Sequence, residues 1–118
     1  MNLKNCGMEI NQYDIWLADL NPSKGTEPGK TRPVVIIQSD LLNSVHLSSI
    51  ICPITTNIQS GIKLLRVALK RGQLDHPSHI LVDQVRAIDN KRLITKLGSL
   101  HSDQIKKLKD NLRIILDL

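Results

Sequence analysis

Aromatic residues are almost missing from this chain. Trp16 and Tyr13 are the only two, and there is no phenylalanine among 118 residues. The core must therefore be aliphatic. A protein that holds nucleic acid by stacking successive bases on an aromatic platform is also disfavoured. Cysteine is scarce too. Cys6 and Cys52 stand far apart and match no metal-ligand spacing, and two cysteines make no disulfide framework. Cys52 lies in the apolar run Ser49-Ile50-Ile51-Cys52-Pro53-Ile54, where a small buried thiol is expected. No apolar run is long enough to span a bilayer. Residues 1–12 are polar and lack the apolar stretch of an export signal, so a reducing cytoplasm is the default location and no membrane partner is expected. Repeats, low-complexity segments and linkers are missing as well.

What remains is one domain, residues 1–118, with 41% apolar content and a formal charge of +5. That suits an anionic partner, nucleic acid or an acidic protein segment, without choosing between them. The most informative stretch is Asn21 to Ile37. Pro22, Gly25, Pro28 and Gly29 make its first half a loop. Val34-Val35-Ile36-Ile37 makes its second half a buried strand. Lys24, Glu27, Lys30 and Arg32 lie between them. A carboxylate can accept a proton, and a guanidinium offers a planar fork of donors to phosphate oxygens. Such a loop at the mouth of a rigid strand suits chemistry on a phosphate, although a solvated hairpin loop would look similar.

Along the chain, residues 1–11 read as a frayed lead-in. Strands are expected over Tyr13–Leu20, Val34–Gln38, Leu47–Ile54, Leu64–Lys70, His79–Ile88 and Arg92–Leu97, the last closed by Gly98. Ser39 is a candidate cap for one helical turn. Ile105, Leu108, Leu112, Ile115 and Leu116 recur at helical spacing behind a start signal at Ser102-Asp103. Short strands joined by Gly/Pro loops, then one helix, predict an α+β fold: a small SH3-like barrel with a C-terminal amphipathic helix. His76-Pro77-Ser78-His79 has metal-like spacing, but Pro77 makes it a turn, and an exposed loop is the expected reading. His46 and His101 are isolated.

Four segments resemble the MazF/PemK toxins of bacterial toxin–antitoxin pairs. They are Asp14-Ile15-Trp16-Leu17-Ala18-Asp19-Leu20-Asn21-Pro22, Gly25-Thr26-Glu27-Pro28-Gly29-Lys30-Thr31-Arg32-Pro33-Val34-Val35, Pro53-Ile54-Thr55-Thr56 and Asp83-Gln84-Val85-Arg86. Pro28 departs from the glutamine usual there, and Tyr13 from a common glycine. The resemblance implies the CcdB/PemK-type toxin barrel. It also implies a metal-independent, sequence-specific endoribonuclease that cuts single-stranded mRNA with no cofactor, leaving 2′,3′-cyclic phosphate and 5′-hydroxyl ends. The implied partners are a second copy of the chain and an acidic antitoxin. The implied catalytic residues are Arg32, Thr55 and Glu27, with RNA contacts from Lys24, Thr26, Lys30, Thr56, Asp83, Gln84 and Arg86.

These roles also make chemical sense. RNA cleavage without metal needs a base near the 2′-hydroxyl, positive charge on the transition state and an acid for the leaving 5′-oxygen. Glu27 can be the base, Arg32 the clamp on the phosphate and Thr55 a hydroxyl donor; no residue stands out as the acid. Each has a structural alternative: Thr55 as a turn cap, Glu27 as an ion pair with Lys30, Asp83 as a partner of Arg86 or a cap inside the sheet. Two rival functions remain open. One is a non-catalytic toxin of the same barrel that binds a protein such as DNA gyrase; the other is a plain RNA-binding barrel.

Overall fold

The computed structural model describes residues 9–22, 25–26, 30–58 and 63–118. Lys24, Glu27 and Pro28 of the expected site loop lie outside the described residues, as does most of the lead-in. Ile10, at its end, is not frayed but 5% exposed in the core.

The elements run β1 (Asp14–Asp19), β2 (Thr31–Ile36), α1 (Asp40–Asn43), β3 (Ser48–Thr55), β4 (Arg66–Ala68), β5 (His79–Leu81), β6 (Arg86–Asp89), β7 (Leu93–Ser99) and α2 (Ser102–Leu116). Every described pairing is antiparallel. The order across the sheet is β4-β5-β3-β2-β1-β7, with β6 also on β3. Thus β3 is shared. Ser48–Ile51 pair with β6, and Ile54–Thr55 pair with β5. Sharing one strand between two partners bends the sheet into the expected small barrel.

Both faces of this sheet are buried, which explains the unbroken β-branched run in β2. Val34 and Ile36 enter a first core with Trp16, Ala18, Leu20, Ile51, Ile88 and Leu93. Val35 enters a second core with Ile15, Cys52, Ile54, Val67, Ile80 and Val82. α2 closes the second core: Leu108 is fully buried, with Ile105, Leu112 and Ile115 packed around it. At about 25 cal/mol per Å² of apolar area buried, a Leu or Ile side chain contributes roughly 1.5–3 kcal/mol.

Several boundaries differ from expectation for physical reasons. The strand expected over His79–Ile88 is interrupted by a 3-10 turn, Val82–Gln84. Ile80 and Val82 face the second core whereas Ile88 faces the first. An unbroken strand would send all three to one face, because side chains alternate with period two. The turn supplies the change of phase. The strand expected from Leu64 begins only at Arg66, after a 3-10 turn at Lys63–Leu65. Gly98 lies inside β7 rather than closing it.

The cap of α2 is His101, one residue before the expected start, and its N–H donates to Gln104 Oε1 at 2.9 Å. Gln104 also forms a reciprocal amide pair with Gln73, at 2.7 and 2.9 Å, which ties the β4–β5 loop to the helix. Ser39 caps α1 as expected, its Oγ accepting from Leu41 N at 3.2 Å. Tyr13, where glycine was expected, stands at φ 70. That left-handed conformation is free for glycine and costs other residues roughly 1–2 kcal/mol.

Candidate active site

The site is built where three strand ends meet. β2 begins at Thr31, β3 ends at Thr55 and β5 begins at His79. Across β2 and β3 the register is Val34↔Pro53, Val35↔Cys52 and Ile36↔Ile51. Continuing it by two residues sets Arg32 opposite Thr55. On the other side of β3, Thr55 pairs with His79. Ala18 pairs with Arg32, and Ala68 with His79. A single row, Ala18–Arg32–Thr55–His79–Ala68, therefore crosses five strands. Directly opposed residues share a face with Cβ atoms about 4.5–5.5 Å apart. Both ends of the row are alanines, so its three long polar side chains stand together.

Local hydrogen bonds hold this row. Thr55 Oγ1 accepts from Asn57 N at 3.1 Å, which is the turn-capping role foreseen as its structural alternative. The hydroxyl proton still has no part in that bond and can be donated onward. Asn57 O accepts from Arg66 Nη1 at 2.7 Å. Arg66 on β4 is thereby fixed beside the end of β3. The base of the site loop is clamped as well. Lys30, at φ 66, donates its N–H to Asn21 Oδ1 at 2.7 Å, and its carbonyl accepts from Leu20 N at 2.9 Å. Arg92 Nη1 donates to Asp19 O at 3.0 Å and to Asn21 O.

The sequence-predicted residues divide accordingly. Arg32 and Thr55 come together, both half-buried. Lys30 and Thr26 are exposed on the loop that leads to Arg32, and Thr56 is exposed immediately after Thr55. Asp83 and Gln84 occupy the 3-10 turn after β5, Asp83 exposed and Gln84 half-buried. Arg86 pairs with Ile51, four residues from Thr55, so about 13 Å away at roughly 3.3 Å per strand residue. These three flank the row along β3 without entering it.

The sequence reading gives His79 no site role. It opens a strand, β5, as the expected strand from His79 does, and it is half-buried rather than exposed as the His76–His79 turn reading has it. Its Nδ1 is buried without a hydrogen-bond partner among the described residues. Partial burial holds its pKa below the ordinary histidine value, and the nearby Arg66 and Lys107 cations push it the same way. The available signal was the strand start itself, since the first residue of a strand has a partner across the sheet.

A cleft of about 430 Å³ has a lining that includes Leu17, Pro33, Leu74 and Leu97, with Thr56 and Asp75. Leu17, Pro33 and Thr56 are each one residue from a member of the row, so the cleft belongs to the opposite face of the sheet. Cys52 takes no part: burial, with help from the Asp83 carboxylate, pushes its thiol up to about 12, which keeps it protonated and unreactive. Among the described residues, no three His, Cys, Asp or Glu side chains converge as a metal site. No helix among them is long and apolar enough to cross a membrane.

Comparison with known proteins agrees with this fold. Residues 11–116 match the family described as PemK-like, MazF-like toxin of type II toxin–antitoxin system. Endoribonuclease EndoA of Bacillus subtilis is 36% identical over 114 residues, covering 94% of this chain and 97% of that protein. Among solved structures, MazF from Deinococcus radiodurans superposes with a TM-score of 0.83 at 20% identity, covering 94% of this chain and 99% of that one. A mycobacterial endoribonuclease in complex with its cognate antitoxin superposes with a TM-score of 0.77 at 17% identity, covering 92% and 96%. At these identities the two structures speak for the fold alone.

Proposed function

The chain belongs to the PemK-like, MazF-like toxins of type II toxin–antitoxin systems, and from that premise we propose that it is a sequence-specific endoribonuclease acting on single-stranded mRNA. The observation that carries this reading is the β2–β3 register, which ends at Val34↔Pro53 and, continued by two residues, sets Arg32 opposite Thr55. Attack of a 2′-hydroxyl on its own phosphodiester concentrates negative charge on the non-bridging oxygens. Arg32 supplies a permanent cation with donors in a fork, and Thr55 a hydroxyl donor, to the same phosphate. The O2′–P bond forms as the P–O5′ bond breaks, which leaves a 2′,3′-cyclic phosphate and a 5′-hydroxyl. None of these steps calls for a metal ion.

The natural setting follows from the family: the cytoplasm, a homodimer, and a cognate antitoxin with an acidic segment. Leu41, Val45 and Leu47, exposed at 87%, 61% and 56%, support a surface that a second copy covers. The net charge of +5 suits both RNA and an acidic antitoxin.

The test is cleavage of a long single-stranded RNA by purified protein in excess chelator, with wild type beside Arg32→Ala. Discrete fragments from wild type alone, ending in 2′,3′-cyclic phosphate, are expected. Intact RNA with a folded wild-type protein would overturn the reading in favour of a toxin that binds a protein target.

A further inference from the structure

Resting on the endoribonuclease reading, we propose that His79 is the general base of the cleavage, taking the 2′-hydroxyl proton as O2′ attacks phosphorus. The sequence offers Glu27 for this step, and the strand register offers His79. Thr55 pairs with His79 on one side, and on its other side the β2–β3 register, continued by two residues from Val34↔Pro53, sets Arg32 opposite it. A phosphate held by Arg32 and Thr55 therefore sits within one side chain's reach of the imidazole. Nothing among the described residues binds Nδ1, so no hydrogen bond there fixes the ring's tautomer.

The surroundings of the ring suit a base. The charged groups facing it are Arg66 from β4 and Lys107 from α2, both cations, and its neighbour on β3 is Thr55. Partial burial first, and then the two cations, hold its pKa below the ordinary histidine value, and the cations attract the phosphate. A neutral base is also better placed than a carboxylate beside a phosphodiester, since it brings no like charge to the substrate. Once protonated, it becomes a cation next to the doubly charged transition state. The base strength favours it as well. General-base catalysis is most effective when the pKa lies near the working pH, and an unperturbed glutamate near about 4.3 is the weaker base.

The atoms balance without a further reactant except water. The O2′ proton passes to the imidazole, the O2′–P bond forms and the P–O5′ bond breaks. O5′ takes a proton from water, and the imidazolium returns its own to solvent.

The experiment is kcat/KM against pH, from about 5 to 8.5, on a single-stranded RNA oligonucleotide with one mapped cleavage site. Wild type, His79→Gln and Glu27→Gln are compared. For wild type, the rate should rise with pH to a midpoint below the ordinary histidine value of about 6.5 and stay flat above it. His79→Gln should lose that limb and roughly 10²–10⁴ in kcat, with KM within about threefold. Imidazole in solution should restore part of the rate to His79→Gly. A limb in the carboxylate range, abolished by Glu27→Gln and untouched by His79→Gln, would overturn the assignment in favour of Glu27. So would a His79→Gln enzyme within threefold of wild type. Should the histidine variants fail to fold, the position of the wild-type limb decides alone. A wild type that cuts no RNA at any pH would take the endoribonuclease reading down together with His79.

Discussion

Thr55→Val separates the two jobs that the structure gives one hydroxyl. Thr55 Oγ1 accepts from Asn57 N at 3.1 Å, and that bond leaves its own proton available to donate. Valine keeps the shape and the branched Cβ, so the strand end should persist. The turn bond is worth about 1 kcal/mol, the usual net value for one neutral hydrogen bond. In a domain of this size that lowers Tm by about 4 °C. Typical stabilities of 5–15 kcal/mol leave the protein folded at assay temperature. If turn-capping were the whole role, cleavage would be almost unchanged. A donor to the transition-state oxyanion contributes much more, about 10²–10³ in kcat, or roughly 2.7–4 kcal/mol. The expected result is a small fall in Tm with a rate loss of at least a hundredfold, and Thr55→Ser recovering most of the rate. The assay is single-turnover cleavage of a fluorescent oligonucleotide, with thermal melts on the same samples. A Thr55→Val protein that melts a few degrees lower and cuts within threefold of wild type would refute the donor role.

Three further outcomes follow from particular contacts. Ser49 Oγ donates to Asn90 Oδ1 at 2.6 Å, and Asn90 Nδ2 donates to His46 O at 3.0 Å, with Ser49 and Asn90 both buried. Asn90→Ala should therefore cost about 2–4 kcal/mol in denaturant melts. In a Cys6→Ser background, Cys52 should resist iodoacetamide at pH 8 in the native protein and react once unfolded, since its thiol is pushed up to about 12; fast native labelling would contradict its burial. The pKa of His79 is lowered by folding, so below the unfolded value the unfolded chain binds the extra proton more readily. Stability should rise with pH through about 6.5 and then level off, and His79→Gln should flatten that part of the Tm profile.

Much of this architecture is legible in the chain because its signals are local. The β-branched run at Val34, the cap at Ser39 and the helical spacing from Ile105 to Leu116 each need only near neighbours, and all three form the elements they predict. Arg32 and Thr55 were legible for a different reason: each sits in a short segment shared with a family. What escaped was set across strands. The phase change at Val82–Gln84 exists because Ile80 and Ile88 serve opposite cores, and no window along the chain shows that there are two cores.

His79 was lost in the same way. In sequence it opens the expected strand His79–Ile88 beside the His76-Pro77 turn, and nothing along the chain gives it a chemical partner. In space its nearest chemical neighbour is Thr55, which is 24 positions away and is set there only by the β3–β5 register. Site residues carried by family motifs can be found along the chain. A contact such as Thr55↔His79 is found only across the sheet. Arg66 braces the same strand end from β4 through its bond to Asn57 O. Arg66→Gln should loosen the turn that holds Thr55 and remove one of the cations that help to hold the His79 pKa down. The rate should fall while the acid limb of the pH profile moves towards the ordinary histidine value. A rate loss with the limb unmoved would mean that Arg66 braces the turn and does not tune the base.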